Sequence, residues 1–225
     1  MKRASPAAAP AAKAAPRRPR GRPRCFDCDQ ALDRAMDVFW EKGYEAASLQ
    51  ELTEAMGINP PSLYAAFGDK EGLFVEAVKR YYSKVQGACP FADEPTARGA
   101  VEKLLTELAT HFTSSNKPRG CLATMAMTTT ATTSERVQKI LSDEQAKARA
   151  NLRARIQRGV DEGELPAGTD AGTLANLYGA VIAGMSLQAK TGATRKSLVA
   201  MAEAAMRAWP EAPRQASRVK QKVAA

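Results

Sequence analysis

The chain is poor in the side chains that most catalysis needs. It has one histidine, His111, among 225 residues. That nearly excludes Ser–His–Asp hydrolysis and His-based metal sites. No Gly-rich phosphate loop is present either, so the sequence points away from an enzyme and implies no cofactor and no metal. No apolar run approaches ~18 residues, which argues against a membrane-spanning helix. The first 24 residues lack the apolar stretch of a secretory signal. The four cysteines, Cys25, Cys28, Cys89 and Cys121, then fit a reducing cytoplasm, and a DNA-bound protein there would be nucleoid-associated. No strand-like alternation appears, so the expected class is all-α. One absence is more specific. Between Lys42 and Lys70 there is no Lys or Arg at all.

Charge is nevertheless abundant elsewhere. The net charge is +9. Residues 1–24 contribute +8 with no acid, and residues 214–225 contribute +4, which leaves the body at −3. Residues 25–85 alone carry −5. The basicity belongs to the two ends. Residues 1–24, rich in Ala, Pro and Arg, cannot build a core and are expected to be a disordered arm in isolation.

The stretch from Ser48 to Phe74, SLQELTEAMGINPPSLYAAFGDKEGLF, whose only cation is Lys70, reads as two short helices, a tight turn and the start of a third. Ser48 and Glu51 have capping-box spacing. Leu49, Leu52 and Met56 form an apolar stripe. Gly57 stops the first helix. Asn59 caps the second, whose first turn tolerates Pro60 and Pro61 because their missing N–H groups cost nothing there. Leu63 and Phe67 face inward, Gly68 stops the helix, and Asp69 caps the next. This is the layout of a helix-turn-helix DNA reader. A helical hairpin with no DNA role has the same periodicity.

A scaffold helix is expected at Asp29–Lys42, and a linking helix from Asp69 to about Val85. Beyond the loop 87–94, helices are expected at Thr96–Phe112, Ser134–Glu162, Asp170–Ala189 and Thr194–Trp209. Cys121–Thr133 reads as a short helix or loop. This gives an N-terminal three-helix DNA-binding domain with a helix-turn-helix at 25–85. A larger helical regulatory and dimerisation domain follows at 86–209, and then a basic tail at 210–225.

The stretch resembles the TetR family of bacterial regulators. The residues that carry the resemblance are Gly43-Tyr44, Ser48-Leu49, Met56-Gly57-Ile58, Ser62-Leu63-Tyr64, Phe67, Asp69-Lys70-Glu71 and Leu73-Phe74. Two departures, Ala66 where relatives often carry His and Pro60-Pro61 where Gly is frequent, bear on base specificity rather than fold. The resemblance implies a transcriptional regulator, most simply a repressor that binds a pseudo-palindromic operator as a homodimer and is released by a small molecule. The second helix would enter the major groove by its N-terminal end. There Asn59 and Ser62 would meet base edges, and Pro60 or Pro61 thymine methyls. By resemblance, Tyr64 and Lys70 would contact phosphates. Ser48, at a helix N-terminus, would offer a phosphate its backbone N–H. The missing attraction would come from the arm. Pro19-Arg20-Gly21-Arg22-Pro23 is similar to an AT-hook core, and with Arg24 it is suited to narrow A·T-rich minor grooves.

The last two helices are the expected dimer interface, with Leu177, Val181, Met185, Leu198, Met201 and Ala205 on their stripes. Small residues Gly179, Ala180, Ala183 and Gly184 allow close approach, although ordinary monomer core has the same pattern. The effector pocket is expected among the middle helices, lined by Phe112, Cys121, Met125, Met127, Asn176 and Tyr178, each of which also fits a core role. Cys25-x-x-Cys28 offers an alternative, a thiol- or metal-responsive regulator. Another alternative is a basic-tailed architectural DNA-binding protein without an inducer.

Overall fold

The computed structural model describes residues 27–88, 91–129 and 134–211. Among these, nine α-helices form and no strand does: α1 (Cys28–Lys42), α2 (Leu49–Met56), α3 (Pro60–Phe67), α4 (Lys70–Ala88), α5 (Ala97–Phe112), α6 (Leu122–Thr129), α7 (Glu135–Asp161), α8 (Ala171–Lys190) and α9 (Arg195–Met206). A single 3-10 turn, Phe91–Asp93, precedes α5.

The helix boundaries follow from caps written in the sequence. The Asp27 carboxylate accepts from the N–H groups of Asp29 and Gln30 to open α1. Thr96, Asp170 and Thr194 cap α5, α8 and α9 in the same way. Each cap satisfies donors that the helix cannot use itself. Gly57 ends α2 with φ +69, a left-handed conformation that a Cβ would penalise. The expected elements are present, with α4 running to Ala88 rather than Val85 and α9 ending at Met206.

The apolar residues gather into two buried clusters. The first contains Phe39 and Trp40 of α1, Leu52 of α2, Leu63 of α3, and Leu73 and Phe74 of α4. It extends onto Leu122 and Ala126 of α6 and Val137 and Leu141 of α7. The second joins α5, α7, α8 and α9 through Val101, Leu105, Phe112, Ile156, Tyr178, Met185, Leu198 and Trp209. Each fully buried side chain of this size contributes about 1.5–3 kcal/mol. Val85 and Cys121 pack against both clusters.

Ion pairs fix α1 to α4. The Arg80 guanidinium grips Asp33, with Nη2 donating to Oδ2 at 2.9 Å, and also reaches Asp29 at 3.0 Å. Lys84 adds a third contact to Asp33 at 2.6 Å. The Arg80 hydrogen bond, against the opposing effect of burial, brings the Asp33 carboxyl down to about 2. Two further contacts tie the reader to the larger half. Lys190 at the end of α8 donates to the Glu41 carbonyl at 3.4 Å, and Arg136 of α7 lies 3.6 Å from Asp69.

Candidate nucleic-acid interface and internal cavity

α2 and α3 present the expected helix-turn-helix. α3 buries Leu63 fully and Phe67 partly, which leaves Pro60, Pro61, Tyr64, Ala65 and Ala66 exposed. Tyr64 is 47% exposed. The Asn59 Oδ1 accepts from the Ser62 N–H at 3.0 Å. That commits the amide oxygen to the cap and leaves the amide nitrogen for a base edge. The outward face of α3 therefore has shape and hydrogen-bonding groups, but no charge.

Ser48 departs from expectation. Its backbone N–H, assigned above to a phosphate, donates instead to Glu51 Oε2 at 3.0 Å. The capping box that starts α2 uses this donor, so the reading of Ser48 as a phosphate contact through its own N–H is corrected. The Glu51 carboxylate also accepts from the Ser48 hydroxyl and from Lys42. These contacts, Lys42 first, hold it down to about 2. The cation nearest the N-terminus of α2 in sequence is thus already paired.

Lys70 is engaged too. Its ammonium donates to the Glu45 carbonyl at 3.2 Å and sits 4.6 Å from the centre of the Tyr44 ring. Burial lowers its pKa from the ordinary lysine value. Carbonyl and ring hold this cation at the α3–α4 junction. Arg20, Arg22 and Arg24 lie outside the described residues, as does Cys25. No group of three or more His, Cys, Asp or Glu able to hold a metal occurs among the described residues.

A cavity of about 530 Å³ lies between α4, α5, α7 and α8. Of the expected lining residues, Phe112, Cys121 and Asn176 are brought together there. Met125, Met127 and Tyr178 are not. Met125 packs in buried surroundings, Met127 is 44% exposed, and Tyr178 turns to Trp209 at 5.7 Å between ring centroids. Cys121 is positioned by the turn before α6. Its N–H donates to Ser186 Oγ of α8 at 2.8 Å. Gly120 lets that turn approach, since a Cβ there would meet the Ser186 carbonyl oxygen at 2.8 Å.

The lining residues missed in the sequence include Tyr82 and Gln86 on α4 and Gln145, Arg149 and Asn151 on α7. The apolar stripe of α7 carried the signal for two of them. It runs through Val137 and Leu141 and is then broken by Glu144-Gln145 before Leu152. A stripe interrupted by an amide marks a wall that faces something other than packed side chains.

Tyr81 joins this cavity to the reader. It lines the cavity from α4 yet is 3% exposed. Its hydroxyl pairs with His111 Nε2 at 3.3 Å. Its ring meets Trp40 of α1 edge-on at 5.0 Å, and His111 stacks on the same indole at 5.4 Å. Burial, with Lys117 adding to it, lowers the His111 pKa to about 4, so the imidazole is neutral near pH 7. Among the described residues the Trp40 Nε1–H has no hydrogen-bond partner, a cost of about 1–3 kcal/mol. The lone histidine is thus a boundary residue in an aromatic junction.

The expected dimer residues divide. Leu177 is 42% exposed, and Val181, Met201 and Ala205 are partly exposed. Met185 and Leu198 are fully buried within the chain, so the reading of these two as interface residues is corrected. Helical periodicity put them on the inner side of their stripes. The outward face of α8 adds Ala180 and Leu187, the latter 44% exposed.

Residues 31–77 match the family model described as bacterial regulatory proteins, tetR family. Residues 98–209 match the model for the tetracyclin repressor-like C-terminal domain. The chain is 37% identical over 195 residues to the HTH-type transcriptional repressor ComR of Escherichia coli, covering 85% of this chain and 93% of ComR. It is 41% identical over 107 residues to the HTH-type transcriptional repressor BdcR of the same organism, covering 45% of this chain and 53% of BdcR. Among solved structures, a cysteine-substituted variant of the regulator CifR bound to 26 bp double-strand operator DNA superimposes with a TM-score of 0.80 at 49% identity. It covers 84% of this chain and all of that one.

Proposed function

The chain belongs to the TetR family of bacterial regulatory proteins, and on that premise we propose that it is a transcriptional repressor whose operator binding is relieved by a small molecule held in the α4–α8 cavity. It acts as a homodimer through the outward faces of α8 and α9, including Leu177, Val181, Met201 and Ala205. Two readers on a twofold axis then match a pseudo-palindromic operator. Asn59, Pro61, Ser62 and Tyr64 meet the DNA from α3, and Lys70 anchors a phosphate. Arg20, Arg22 and Arg24 supply the attraction that the acidic reader lacks.

The observation that carries this reading is the span of α4. One helix holds Lys70 at the reader and Tyr81, Tyr82, Val85 and Gln86 on the cavity wall. From Lys70 to Gln86 it extends about 24 Å at 1.5 Å per residue. An occupant that shifts Tyr81 shifts the aromatic junction with Trp40, and with it α1 and α4, on which α2 and α3 are seated. Occupant and operator then oppose each other's binding by the same factor.

Footprinting on the DNA upstream of the chain's own gene and its neighbours tests the proposal. The expected result is one discrete protected site with twofold symmetry. Uniform protection without a boundary would instead favour an architectural role for the basic ends.

A further inference from the structure

The cavity has one-sided chemistry. Leu104, Leu108 and Phe112 of its lining are buried and apolar, while most of its polar side chains are half-buried or exposed. No Asp, Glu or Lys lines it. Tyr81, Cys121 and Thr124 also line it; the remaining polar groups are the Tyr82 hydroxyl, the amides of Gln86, Gln145, Asn151 and Asn176, and the Arg149 guanidinium. None of these remaining groups makes a side-chain hydrogen bond or ion pair among the described residues.

That is unusual for α7. Its other polar residues are largely taken up along the helix: Lys139 by Asp143, Lys147 by Glu144, Gln157 by Asp161 and Arg158 by Glu162. Gln145 and Arg149 are also four apart, but they turn to the cavity unpaired. After burial and Cys121, Glu144 is the acid that acts on the Tyr82 hydroxyl. Its carboxylate is held by Lys147 at 2.6 Å. The Tyr82 hydroxyl is protonated and can donate, and burial raises its pKa further above the ordinary tyrosine value.

Resting on the cavity reading above, we propose that the effector is an acceptor-bearing amphiphile: an apolar body seated against Leu104, Leu108 and Phe112, with a carboxylate or comparable anionic acceptor at Arg149 and Gln145. An ammonium group would face the Arg149 cation and find only neutral amide and hydroxyl oxygens, with no carboxylate to receive it. A planar guanidinium beside an amide matches a carboxylate, which accepts from both. Because Arg149 is exposed, the gain is that of a solvent-screened pair.

Calorimetric titration of the full-length chain with phenylhexanoate, phenylhexanamide and phenylhexylamine tests this. These probes share one apolar body and differ in charge. The carboxylate is expected to bind about threefold to tenfold tighter than the amide, and the amine weaker than either. The advantage should shrink as salt rises. Arg149→Gln, at an exposed position where melting temperature verifies the fold, should bring the carboxylate to within about twofold of the amide. Equal affinities of acid and amide, or an advantage that survives Arg149→Gln, would overturn the charge preference and leave the cavity reading standing. If no probe binds, the cavity reading falls and the preference falls with it.

Discussion

The DNA-reading face and the cavity treat their polar groups in opposite ways. On the reader, polar groups are already used. The Ser48 N–H and hydroxyl serve Glu51, Glu51 holds Lys42, the Asn59 oxygen caps α3, and Lys70 rests on Glu45 and Tyr44. Around the cavity, Gln86, Gln145, Arg149, Asn151 and Asn176 have no side-chain partners among the described residues. The reader is therefore fixed in shape before DNA arrives and has little charge to spend on attraction. The cavity keeps its donors open for an occupant. Packing divides similarly. Leu52, Leu63, Leu73 and Phe74 are fully buried in a closed core, whereas the larger half packs around a void.

The largest effect should separate the two cores. Leu63→Ala opens a cavity beneath α3 and is expected to cost about 2–5 kcal/mol. Leu104→Ala removes atoms that already border empty space and have fewer neighbours to lose, so about 2 kcal/mol or less is expected. Urea unfolding of both variants checks this order. A reversed order would mean that the cavity is closed in solution.

A somewhat smaller effect belongs to the junction. The folded state holds His111 neutral down to about pH 4, while an unfolded histidine titrates near 6.5. Between those values the unfolded chain binds more protons, so stability is full above about 6.5 and is lost as pH falls toward 4. The loss is on the order of 3 kcal/mol. Unfolding measured at pH 7.5 and 5 should show about 2 kcal/mol of it, and His111→Asn should flatten the difference. An equal pH dependence in both chains would remove His111 from the buried junction.

The smallest effect concerns the cap. Ser48→Ala should lower stability by about 1 kcal/mol, read by thermal melting. The hydroxyl that the substitution removes serves Glu51 rather than a phosphate, so operator affinity of the folded fraction should change less than twofold. A tenfold loss would restore Ser48 to direct phosphate contact.

Much of this architecture was legible in the residues. Ser48, Asn59, Thr96, Asp170 and Thr194 announce helix starts, and each side chain accepts the N–H that its position predicts. Periodicity located the buried stripes but not what each stripe meets. Met185 and Leu198 lie on the right helices and on the inner side of them. Tyr178 turned to Trp209 rather than to the void, and Met127 to solvent. A cavity belongs to the arrangement of four helices, and no single helix encodes its place. Only the break at Glu144-Gln145 hinted at its wall. The Ser48 N–H was misread because a helix N-terminus serves an anion or its own capping box, and Glu51 decides which.

The central claim is that the reader gives shape while the arm gives attraction. The salt dependence of operator affinity tests it most directly, measured by fluorescence anisotropy on the full chain and on a chain lacking residues 1–24. The account predicts weaker binding and a shallower slope without the arm, by about 0.9 for each arm cation that neutralises a phosphate. Identical slopes for the two chains would place the attraction in the folded reader and contradict it.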